Sequence, residues 1–99
     1  MRSFEVPDTT PIAFVEEMRS ALAAKQYDRY VVLDLDDDSL VVELRWMGTS
    51  RFDFRVAPVG TGFRAEFVGQ RIAPLHGAFS DRFEVYFEKA LAGVGAKAI

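Results

Sequence analysis

From Tyr30 onward the chain alternates apolar and polar residues with a period of two, in four consecutive runs. Val31, Leu33 and Leu35 alternate with Val32, Asp34 and Asp36. Leu40, Val42, Leu44 and Trp46 alternate with Val41, Glu43, Arg45 and Met47. Phe52, Phe54 and Val56 then alternate with Arg51, Asp53 and Arg55, and Phe63, Ala65 and Phe67 with Arg64, Glu66 and Val68. Successive side chains of a strand point to opposite sides, so a period of two is the signature of a half-buried strand. Every run has one apolar and one largely charged face, and a sheet built from them has a single side to bury. The stretches "DD", "GTS" and "VGTG" between the runs are turn-forming, which predicts an antiparallel meander.

Something must cover the apolar side, and two segments have the spacing to do it. In "DTTPIAFVEEMRSALAAK" Thr10 suits a helix cap and Pro11 a first helical position, with Ile12, Val15, Met18 and Leu22 forming an apolar stripe. In "FSDRFEVYFEKAL" Phe79, Phe83, Tyr86, Phe87, Ala90 and Leu91 share a face, Ser80 suits the cap, and Gly93 suits the end. Before the first helix, "RSFEV" reads as a short strand stopping at Pro7; the tail at 93–99, "GVGAKAI", is expected to fray. The predicted fold class is α+β: two layers, β-α-β-β-β-β-α, an antiparallel meander with both helices on one face. Ninety-nine residues are enough for one core, so residues 1–99 read as a single domain.

Charge offers a test of register. Placing Trp46 opposite Phe52 pairs Arg45 with Asp53 and Glu43 with Arg55. Placing Phe54 opposite Phe67 sets Arg55 against Glu66, and the ladder Glu43–Arg55–Glu66 results. The densest chemistry in the chain, Asp34-Leu35-Asp36-Asp37-Asp38, falls to the same arithmetic. Leu35 opposite Leu40 leaves Asp37-Asp38 as a two-residue turn, with Asp36 opposite Ser39. A calcium loop would need glycine where Ser39 stands and glutamate where Arg45 stands. The stretch reads as a turn, and no metal site is assigned.

Whole classes of function are disfavoured. The net charge of −3 argues against phosphate-driven binding to nucleic acid or anionic lipid. Without cysteine there is no disulfide, thiolate metal site or Cys nucleophile. "MRSFEVPDTT" lacks the apolar core of a signal peptide, and no apolar run reaches membrane-spanning length; no membrane association and a cytoplasmic location are the default expectations. His76 is the sole histidine. It reads as a surface or loop imidazole packing on the strand-to-helix connection; the competing reading is an acid–base group acting with Asp81 and Arg71. No serine lies in a nucleophile-elbow pattern, and "VGTG" reads as a hairpin loop, not a phosphate cradle.

The stretch "FDFRVAPVGTGFRAEF" (52–67) resembles the Bet v 1/START-like helix-grip superfamily, which includes the polyketide cyclase/dehydrase-like (SRPBCC) proteins. "FEVPDTTPIAFVEEM" takes the place of that superfamily's first strand and helix, and Ser80 to Leu91 that of its long C-terminal helix. This chain is shorter, with four strands between the helices instead of about six. The same order also resembles a single TATA-binding-protein-like repeat. The helix-grip resemblance implies a concave apolar face for a ligand; it carries no catalytic residue onto this chain, and no cofactor.

Side chains as large as those on the inner face should fill it, because interiors pack at crystal-like density. The expectation is no enclosed pocket, or one below ~300 Å³, the lower end for small-molecule sites. A ligand or partner then binds at the rim near Trp46, Met47 and His76, or along an exposed strand edge. Trp46, Met47, Phe52, His76, Phe83 and Tyr86 are the candidate ligand-binding residues. The functional expectation is a non-enzymatic binding or interaction module for a small apolar ligand or a protein partner. Two alternatives stand beside it: a self-associating structural or adaptor protein, such as a homodimer, and a small enzyme using His76.

Overall fold

In the computed structural model, which describes residues 1–99, the chain runs β1 (Phe4–Val6), α1 (Pro11–Ala24), β2 (Val31–Asp36), β3 (Ser39–Arg45), β4 (Thr49–Val59), β5 (Gly62–Arg71), α2 (Ser80–Gly93) and β6 (Lys97–Ala98). A single 3-10 turn, Pro74–His76, precedes α2. All six strands form one antiparallel sheet in the order β2-β3-β4-β5-β1-β6. The fold is α+β, and the elements follow the predicted order. No helix is long and apolar enough to cross a membrane.

The inward-facing residues of the four alternating runs are buried together with those of the helices. Phe52, Phe54 and Phe63 from the sheet meet Phe14, Met18 and Leu22 of α1 and Phe87 of α2, all essentially without solvent contact. Each such side chain contributes roughly 1.5–3 kcal/mol on burial. Phe14 packs edge-on against Phe63 at 5.3 Å and tilts against Phe4 at 5.7 Å. Ile12, expected in this stripe, is instead 67% exposed. The stripe centres on Phe14, Val15, Met18 and Leu22, and at 3.6 residues per turn Ile12 lies about 100° away around the helix.

The hairpin registers divide sharply. Leu35 stands opposite Leu40 and Asp36 opposite Ser39, leaving Asp37-Asp38 as the turn, with Asp37 left-handed at φ 56°. Phe54 faces Phe67 and Arg55 faces Glu66, also as expected. The β3–β4 register differs: Glu43 stands opposite Arg51 instead of Arg55, and Arg45 opposite Thr49 instead of Asp53. The loop here is only Trp46-Met47-Gly48, closed by left-handed Met47 (φ 49°) and by Gly48 (φ 122°). That tight loop excludes the wider turn on which the Trp46–Phe52 pairing rested. The ladder Glu43–Arg55–Glu66 therefore does not form. The charges pair along the strands, Arg45 with Glu43 at 2.9 Å and Arg51 with Asp53 at 2.8 Å.

Residues 93–99, expected to fray, are placed in a turn and a short strand. The amide of Ala96 bonds the carbonyl of Leu91 and that of Gly95 bonds Ala92, a Schellman motif with Gly95 left-handed at φ 89°. Helix α2 thus runs through Gly93 and the chain turns back, pairing Lys97 with Glu5 and Ala98 with Phe4. Without β6, strand β1 would present unpaired backbone groups, so the tail covers an edge. Ser80 does not cap α2; Phe79 occupies the cap position and no side chain bonds the first amides.

A second Schellman motif ends α1. Tyr27 N–H bonds the Leu22 carbonyl and Gln26 N–H that of Ala23, with Gln26 left-handed at φ 62°. Tyr30 and Val31 then both donate to the Tyr27 carbonyl, at 2.9 Å each. This compact turn throws Tyr27 and Tyr30 to the side of the sheet where α2 begins.

Candidate functional site

An apolar concavity lies at that end of the molecule. It is a groove open to solvent, about 410 Å³ in volume. Tyr27 and Tyr30 enter from the α1–β2 turn, Val31 and Leu44 from the first two strands of the meander, and Trp46 from the β3–β4 loop. Helix α2 closes the other wall with Phe79, Arg82, Phe83 and Tyr86. Tyr27 meets Tyr86 edge-on at 5.0 Å, and Trp46 meets Phe79 at 5.4 Å. Burial raises the Tyr86 hydroxyl above its ordinary pKa, and the neighbouring Tyr27 adds to the rise. Arg82 is the sole charged side chain on the lining, and it makes no ion pair or hydrogen bond within the chain. Below the groove the core is filled: Phe83 stacks on Phe52 at 5.5 Å and on Phe87 at 5.9 Å.

The six candidate residues fare differently. Trp46, Phe83 and Tyr86 line the groove together. Trp46 was expected on the inner face of the sheet, but the short loop leaves it outside the strand and 45% exposed. Phe52 belongs to the floor beneath Phe83 and has no solvent contact of its own. Met47 sits at the loop, 68% exposed, and takes no part in the lining. The groove also takes Tyr27, Tyr30, Val31, Leu44, Phe79 and Arg82, none of them among the six. The only local sign of the tyrosines is a pair of aromatics inside an otherwise polar connection, "KQYDRY".

His76 is the clearest correction. It is wholly buried, at 0% exposure, not a surface imidazole, and neither Asp81 nor Arg71 is its partner. Its Nε2 lies 2.5 Å from the Trp46 carbonyl oxygen and its Nδ1 2.5 Å from Ser50 Oγ. A carbonyl can only accept, so Nε2 carries the proton, and in the neutral ring Nδ1 accepts from the Ser50 hydroxyl. Ser50 Oγ in turn accepts from the Ala73 amide at 2.9 Å. The ring also stacks under Trp46 at 6.3 Å and touches Phe79 at 5.4 Å. A serine hydroxyl on a histidine nitrogen is the arrangement of an activated nucleophile. Here Ser50 is only 1% exposed. The network acts as a clasp: it fixes the β3–β4 loop, the segment after β5 and the start of α2 as one unit, and so sets where Trp46 stands.

The β2 edge of the sheet is partly occupied by the chain itself. On β2, the Leu33 carbonyl accepts from the Arg19 guanidinium at 2.7 Å and the Val31 amide is taken by Tyr27. Compared with known proteins, the chain matches no family model and has no significant match among curated proteins or solved structures.

Proposed function

We propose that the protein is a non-enzymatic binding module whose aromatic groove receives the apolar part of a ligand. The observation that carries this reading is the groove itself: eight of its nine lining residues are hydrophobic, on a floor of packed phenylalanines, with one convergent charge. Its volume of about 410 Å³ falls within the range of small-molecule sites. The resemblance to helix-grip proteins points the same way. Burial of the Ser50–His76 pair weighs against the enzymatic alternative, since a nucleophile must reach its substrate. The occupied hydrogen-bonding groups of β2 weigh against self-association by strand pairing.

Trp46, the only tryptophan, supplies the assay. A neutral apolar dye such as Nile red should quench its emission saturably, and Phe79→Ser, at the Trp46 wall, should weaken that binding. Dye binding that is undetectable in the native protein, or indifferent to this substitution, would overturn the reading.

A further inference from the structure

We propose that the groove selects small amphipathic carboxylates, with Arg82 taking the anionic group and the aromatic wall the apolar body. This rests on the groove being a ligand site, and it specifies which ligands that site prefers. Three observations converge on it. Arg82 is the single charged group on the lining, and it forms no salt bridge within the chain. No carboxylate lines the groove, although the chain as a whole carries more acidic than basic residues. Arg82 also lies in the first turn of α2, whose leading amides have no side-chain cap and so favour an anion; the acidic residue of that turn, Asp81, is not on the lining and forms no salt bridge.

The geometry suits one charge on one end of a short molecule. Phe79 and Arg82 are three residues apart on the same helix face, so an apolar body lying on Phe79 and Trp46 brings its terminus to the guanidinium. An arginine fork can hold both oxygens of a carboxylate. Tyr27 and Tyr86, meeting edge-on at 5.0 Å, line the groove as well.

The test compares phenylbutyrate with its uncharged amide, phenylbutyramide, on the native protein and on Arg82→Gln, by Trp46 emission and calorimetry. Arg82 is exposed and unpartnered, so the substitution leaves the fold intact. The expected result is that the acid binds roughly three- to tenfold more tightly than the amide, as suits one part-exposed charge-assisted contact. Arg82→Gln should abolish that advantage, bringing the acid to the affinity of the amide. Equal affinities in the native protein, or an advantage that survives Arg82→Gln, would refute charge selection while the groove reading stands. If the acid, the amide and Nile red all fail to bind, the groove reading itself falls, and this inference with it. Trp46 emission that shifts with protein concentration, together with dimer in sedimentation, would identify the groove as a contact between copies and overturn both.

Discussion

Replacing His76 by phenylalanine keeps a ring of similar size against Trp46 and Phe79 but deletes both ring nitrogens. The Ser50 hydroxyl then loses its acceptor in a place without water, since His76 is wholly buried and Ser50 nearly so, while the Trp46 carbonyl loses its donor at the part-exposed loop. The stranded buried hydroxyl alone costs about 1–3 kcal/mol, so the variant should lose at least that much. Ser50→Ala strands His76 Nδ1 and the Ala73 amide instead, with a cost of similar size. In the double variant the hydroxyl and Nδ1 are both gone, and neither is left seeking the other. The two losses should therefore fall short of additivity by about 1–2 kcal/mol. Urea unfolding followed by far-ultraviolet circular dichroism measures all four states of the cycle. A loss below about 1 kcal/mol for His76→Phe, or additivity within about 0.3 kcal/mol, would refute the buried clasp.

Other consequences follow from particular positions. A Cβ at Gly62 would lie 1.9 Å from the Val6 carbonyl oxygen and 2.7 Å from Pro7 Cα, both backbone atoms that cannot yield. Gly62→Ala should thus displace β1 from β5 and cost at least ~3 kcal/mol in urea unfolding, whereas Gly93→Ala, which meets nothing, should stabilise α2 by up to ~1 kcal/mol. Gln26→Gly relieves a left-handed residue at the end of α1 and should raise stability by about 0.5–1 kcal/mol, read as a higher urea midpoint. Because Tyr86 ionises less readily when folded than when unfolded, its contribution is intact below its ordinary pKa of 10.0 and is lost as pH rises through the folded value. Stability should therefore decline across that alkaline window, and Tyr86→Phe should flatten the decline; an unchanged slope would contradict the burial of this hydroxyl.

Periodicity alone determined the layer structure of this protein. The four alternating runs can bury only one side, and two amphipathic helices are what the chain has to cover it. The turn at Asp37-Asp38 and the Phe54–Phe67 pairing were legible for the same reason, because each is fixed by residues close in the chain. The β3–β4 register was not. A slip by an even number of residues keeps Leu40, Val42 and Leu44 facing inward, so the hydrophobic pattern cannot choose between registers. Exposed charge pairs, worth ~0.2–1 kcal/mol each, are too weak to choose in its place. The decision lies in the left-handed backbone of Met47 and Gly48 and in the tie from Ser50 to His76, 26 residues onward. The groove has the same character. Trp46, Phe83 and Tyr86 could be named from the sequence, but Tyr27, Tyr30 and Arg82 come from separate segments that meet only once helix α1 has turned at Gln26. Local pattern determines which face of each element is apolar; which faces meet is decided by backbone geometry and buried polar contacts between residues far apart in the chain.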